Sequence, residues 1–116
     1  MQQTLFPLER KIHLTEIEQD FLDVITNHAG EENSITATDL KPLFNISSRE
    51  VRRIVHRLRV AGHPIGSSNK GYYLAQTKQE LKGTINFLRS YIRQIEEVAT
   101  ALEKVDLPDG DCDILY

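Results

Sequence analysis

One cysteine, Cys112, and no tryptophan occur in the 116 residues. No intrachain disulfide is possible, so the fold must rest on packing, and a reducing, cytoplasmic setting is expected. Long apolar runs are missing too. No stretch approaches the roughly 20 apolar residues of a membrane span. The opening MQQTLFPLERKIHLTE lacks the apolar run of a signal peptide, and acids appear early in the chain. Internal repeats and low-complexity tracts are absent. So are a glycine-rich phosphate loop, a Ser/His/Asp or Cys/His arrangement and a paired-carboxylate constellation. These absences predict a non-enzyme with no catalytic residue and no cofactor. His13, His28, His56 and His63 have no metal-like spacing with one another or with Cys112. Asp106, Asp109, Asp111 and Asp113 lack the glutamate that closes a calcium loop. No metal is therefore predicted, and the tail reads as a solvated acidic segment.

Positive charge is scarce everywhere except in one place. The chain has a formal net charge of −3, yet from Leu40 to Lys82 it carries nine Lys/Arg against two acids, Glu50 and Glu80. The flanks are acidic. Phosphates respond to charge within about one Debye length, roughly 8 Å at physiological salt, so the local +7 outweighs the net charge for a nucleic-acid partner.

Within that segment SSREVRRIVHRLRVAG precedes PIGSSNKGYYLAQT. Three capping boxes punctuate the chain, at Thr15–Glu18, Ser47–Glu50 and Thr77–Glu80. They predict a first helix over 15–28, a third over 48–61 and a long fourth from 77 to about 104. A short second helix starts from Thr36 or Thr38 and is made irregular by Pro42. Ile35 reads as a one- or two-residue strand. Ile65-Gly66 and Tyr72-Tyr73-Leu74 read as extended pieces joined by a bend over 67–71, with one tyrosine on the core and the other on the hairpin.

At about 100° per residue, Val51, Ile54, Val55 and Leu58 form the core face of the third helix. Its remaining faces are cationic. A major groove accepts one α-helix, and arginine can fork onto guanine N7 and O6 or onto phosphate. The N-terminal part of such a helix reaches base edges. Ser48, Arg49, Arg52, Arg53 and His56 are accordingly the base-edge candidates. Arg57, Arg59, Asn69 and Lys70 are the phosphate candidates.

The stretch LKPLFNISSREVRRIVHRLRVAGHPIGSSNKGYYL resembles a winged helix-turn-helix domain, in particular the N-terminal DNA-binding module of biotin-operon repressor proteins. The hydrophobic-turn-Ser-Arg element resembles the opening of that family's recognition helix. Leu58-Arg59 and Gly62 resemble its close. Ile65-Gly66 and Gly71-Tyr72-Tyr73-Leu74 resemble its wing. The likeness covers residues 15–76, and nothing corresponding to a ligase domain follows Ala75. It implies a fold that is mainly α with a small β-hairpin wing, and a double-stranded DNA partner.

After the hairpin, Leu81, Ile85, Leu88, Ile92, Ile95, Ala99 and Leu102 are spaced 4, 3, 4, 3, 4, 3. This is a heptad seam with Ile85, Ile92 and Ala99 at a, flanked by Thr84, Tyr91 and Val98 at g. It predicts a homodimer through the C-terminal helix. The expected organisation is an arm at 1–14, the winged domain at 15–76, a dimerisation helix at 77–105 and an acidic tail at 106–116. The function expected is a dimeric, DNA-binding transcriptional regulator with no membrane association and no assigned effector. The alternatives are a phage-like DNA-replication or recombination accessory protein, and a winged-helix protein–protein adaptor.

Overall fold

The Thr15 hydroxyl accepts the Glu18 amide at 3.2 Å, and Glu18 Oε1 accepts the Thr15 amide at 3.0 Å. This box starts α1, Glu16–Thr26. The helix stops before residue 28 because the Asn27 and His28 amides turn to carbonyls only three residues back, Val24 and Ile25. The computed structural model describes residues 13–110. The arm up to residue 12 and the tail from 111, with Cys112, lie outside the described residues.

A 3₁₀ turn, Glu31–Asn33, leads to α2, Ala37–Phe44. Thr36 is the cap, its hydroxyl accepting the Asp39 amide at 3.1 Å. Pro42 sits in the second turn, where it leaves one helical carbonyl without its amide partner. The helix ends two residues later, at Phe44. Asn45 takes a left-handed conformation, φ 55°, and the Ile46 amide closes onto the Lys41 carbonyl at 3.1 Å. Ser47 then caps α3, Ser48–Val60, through the second box, and Gly62 at φ 106° follows its end.

Strands β1, Ile65–Ser68, and β2, Gly71–Leu74, pair antiparallel with Ile65 opposite Leu74 and Ser68 opposite Gly71. The bend is only Asn69-Lys70, tighter than the five residues expected. The free edge of β2 is covered by the chain after α1. Ile35 and Tyr72 exchange both amide–carbonyl bonds at 2.8 Å, and the Gly30 amide reaches the Leu74 carbonyl at 2.9 Å. Gly71 is required at this junction. Its φ is +127°, and a Cβ there would lie 2.5 Å from the Ile35 carbonyl oxygen.

The core of this first unit is Phe21, Ile25, Leu40, Val51, Leu58 and Ile65, all essentially inaccessible. Side chains of this size contribute about 1.5–3 kcal/mol each when buried. Phe44 closes one side, its ring centroid 5.3 Å from that of Phe21. Tyr73 is buried and would meet any side chain at Gly66, its cross-strand neighbour. Tyr72 is half-buried and packs against the main core, so both tyrosines turn toward apolar neighbours.

The long helix α4, Lys78–Glu103, belongs to both units into which the chain divides, Met1–Thr84 and Ile85–Tyr116. Its first turns are fixed by side chains. Thr77 caps the Glu80 amide at 3.1 Å. The Glu80 carboxylate accepts the Gln76 amide at 2.7 Å and the Glu31 amide at 2.9 Å. Those backbone donors hold the Glu80 pKa below its ordinary value. Thr84 is buried, its hydroxyl accepting the Ser67 amide at 3.0 Å and facing the Ser67 carbonyl at 3.3 Å. Thr84 therefore docks on β1 inside the first unit and does not widen a partner face. Leu81 is half-buried in the same unit.

In the second unit the remaining seam is open. Ile85, Leu88, Ile92, Ile95 and Leu102 are all exposed large apolar residues, with Leu102 at 65%. Phe87 and Tyr91 stack on one another with centroids 6.4 Å apart. The described chain is thus mainly α, with one antiparallel hairpin and a long C-terminal helix. No described helix is long and apolar enough to cross a membrane.

Candidate nucleic-acid interface

The apolar face of α3 fixes where its charges point. Val51, Ile54, Val55 and Leu58 are buried. Arg49, Arg52, Arg53 and His56 therefore fall on the outer face, spaced three, four and seven residues from Arg49, which places them on one stripe. All four are exposed. Their side chains have no hydrogen bond or ion pair among the described residues. Ser48 is half-buried at the start of the helix.

The acid nearest this stripe is occupied. Glu50 Oε1 accepts the Ser47 amide at 3.0 Å and completes the cap. The carboxylate that could neutralise the arginines is instead held at the helix N-terminus, where the peptide dipoles favour a negative charge.

Arg57 and Arg59, the phosphate candidates on α3, also make bonds within the chain. Arg57 Nε donates to Glu18 Oε2 at 2.6 Å, and its Nη2 donates to Glu18 Oε1 and to the His13 carbonyl, each at 3.2 Å. The Glu18 side chain is almost wholly buried, while that of Arg57 remains 38% exposed. Burial pushes the Glu18 pKa up, but the Arg57 fork and the Thr15 amide outweigh it and leave it below the ordinary value. Arg57 thereby ties α3 to α1.

Arg59 Nε donates to the Ile65 carbonyl at 2.8 Å, and its Nη2 to Ser67 Oγ at 3.0 Å. Burial lowers its pKa, opposed by the neighbouring Tyr72 and Tyr73. Arg59 thereby ties α3 to β1. Both guanidinium groups bond within the chain through Nε and Nη2, which leaves the Nη1 donors of each without a partner among the described residues.

Asn69 and Lys70 stand exposed at the tip of the hairpin. The Lys70 amide donates to Ser68 Oγ at 3.1 Å, which sets the bend, while its ammonium has no partner among the described residues. The candidate interface reduces to Arg49, Arg52, Arg53 and His56 on α3, with Asn69 and Lys70 on the hairpin.

Residue spacing alone gave no sign of the Glu18–Arg57 and Thr84–Ser67 contacts. Glu18 is 39 residues from Arg57, and Thr84 is 17 from Ser67. The clue available was chemical: each is a polar residue placed where its helix turns toward the core. No group of three or more His, Cys, Asp or Glu among the described residues could hold a metal ion. Compared with known protein families, with curated proteins and with solved structures, the chain matches none.

Proposed function

We propose that this chain is a winged helix-turn-helix protein that binds duplex DNA, a dimeric transcriptional regulator with no catalytic role. In this reading α2, the Asn45–Ser47 turn and α3 form the helix-turn-helix, and the hairpin is the wing. The observation that carries it is the sorting of charge on α3. Two arginines are engaged in internal bonds, while three arginines and a histidine on one stripe are left exposed, their side chains without a partner among the described residues. Free cations on a rigid capped helix suit a polyanion, and a single α-helix suits the major groove.

Arg49, Arg52, Arg53 and His56 are assigned to the groove, with Ser48 beside them. Asn69 and Lys70 are assigned to the flanking phosphates. Affinity then comes from counterion release, and sequence preference from the outer stripe of α3. An accessory role in replication or recombination of DNA would use the same surface. A protein–protein adaptor would not need it.

Salt separates these readings. Affinity for a duplex, followed by fluorescence anisotropy, is expected to fall linearly on a log–log plot against salt. The slope should be steeper than about −2, the value for the two Lys70 side chains of the dimer alone. Lys70→Ala should reduce that slope by about two, one contact for each protomer, and equally for every duplex. A flat salt dependence, or no binding at low salt, would favour the adaptor.

A further inference from the structure

The outer face of α4 has a charge pattern that fixes more than pairing. With Ile85 at heptad position a, the e positions are Lys82, Arg89, Glu96 and Glu103. They run from basic to acidic along the helix, and all four are exposed. The other flank, at Tyr91 and Val98, is apolar and exposed. We infer that a second copy of this chain packs on the Ile85–Leu102 seam in the antiparallel direction. The inference rests on the dimeric reading above and adds its orientation.

Symmetry decides between the two directions. In a parallel pair the e row of one helix faces the g row of its partner. Here the g row carries no charge, so the four e charges would have no complement. Parallel alignment would also set the acidic ends at the same level, Glu96, Glu97 and Glu103 of one chain beside those of the other.

An antiparallel pair has its twofold axis perpendicular to the helices, so each row meets its own copy reversed. The layers then become Ile85 on Leu102, Leu88 on Ala99 and Ile92 on Ile95, each made twice. In that register Lys82 faces Glu103 and Arg89 faces Glu96, also twice each. Both pairs are of opposite sign, in one register, without adjustment. On the opposite flank Tyr91 meets Val98, apolar on apolar.

The seam layers suit one another in size as well, because the small Ala99 sits across from Leu88. The seam begins at Ile85, after the turns that Thr84 and Glu80 hold in the first unit. A partner therefore needs nothing that the fold has already used. The N-termini of the two helices leave from opposite ends of the pair, about 45 Å apart along its axis at 1.5 Å per residue.

The test labels the intact chain with a nitroxide at Gln79→Cys, in a Cys112→Ser background, and reads the inter-label distance by double electron–electron resonance. The expected result is a dimer with a distance centred near 45 Å, against roughly 20 Å or less for parallel pairing. Charge reversal gives an independent reading in sedimentation equilibrium. Arg89→Glu alone and Glu96→Arg alone should each weaken dimerisation tenfold or more, while the two together restore it, with helix content by circular dichroism unchanged. A dimer with the short distance, or no restoration in the double variant, overturns the antiparallel arrangement and leaves the dimer standing. A monomer at about 100 μM, or a tetramer, overturns the pairing itself, while DNA affinity tests the binding surface separately.

Discussion

Replacing Arg49 and Arg53 together with alanine is expected to abolish sequence-selective DNA binding without destabilising the protein. Both side chains are exposed, one turn apart on the outer stripe of α3, and neither has a hydrogen bond or ion pair among the described residues. A bidentate arginine–guanine contact is worth about 1–3 kcal/mol of discrimination. The pair should therefore lose about a hundredfold or more in affinity for a preferred duplex. The melting temperature should stay within about 5 °C, because each surface substitution away from structural contacts shifts stability by only about 0.5 kcal/mol. Alanine also has the higher helix propensity of the two residue types, so the helix itself gains slightly. Anisotropy on one duplex and a thermal melt on the same sample check both halves. A fall in melting temperature parallel to the loss of binding would mean that these arginines hold the fold.

Arg57→Ala should do the reverse, lowering stability strongly. The reason lies in unequal burial. The Glu18 side chain is almost wholly buried and that of Arg57 is 38% exposed, so losing Arg57 strands a carboxylate out of water with only the Thr15 amide left. Removing one member of a buried pair costs about 3–5 kcal/mol, and the partial exposure here places the expectation at the lower end, about 3 kcal/mol. For a unit of this size that is near 15 °C in Tm. Glu18→Gln should cost less, since an amide oxygen can still accept the Thr15 amide and Arg57 can turn to water.

The pH dependence carries a sign. The folded-state pKa of Glu18 lies below its ordinary value, so its stabilisation is complete above the ordinary carboxylate range and disappears as pH falls through the folded value. Glu80, also lowered, acts in the same direction. Chemical denaturation at pH 7 and at successively lower pH should show an acid-dependent loss that shrinks in Arg57→Ala. An undiminished acid loss in that variant would place the coupling elsewhere.

The parts of the fold legible in the sequence were those written in short-range spacing. Two capping boxes, Thr15–Glu18 and Ser47–Glu50, formed in both directions because each needs only three residues and a helix. The period of Val51, Ile54, Val55 and Leu58 located the buried face of α3 for the same reason. The third box has a carboxylate shared with other donors. Thr77 does cap the Glu80 amide, but the Glu80 carboxylate turns to the amides of Gln76 and of Glu31, the latter 49 residues away. A competitor that distant leaves no mark on local spacing.

The candidate interface shows the same limit. Composition located the basic segment. It could not separate arginines that face water from those the tertiary fold consumes. Arg53 and Arg57 are one helical turn apart, yet only Arg57 lies beside a buried acid. Arg59 is turned inward by carbonyl and hydroxyl groups of a strand that begins after Gly62 and Pro64 redirect the chain. The consequence is functional economy within one helix: a continuous cationic face in the sequence becomes an outer stripe of four and two internal ties.

Selection from a random duplex library by the full chain, with the Arg49→Ala, Arg53→Ala variant run beside it, decides whether the outer stripe of α3 reads DNA. One motif should be enriched by the wild-type chain and lost by the variant. Equal recovery of all sequences by both proteins, or no recovery by either, would contradict that role.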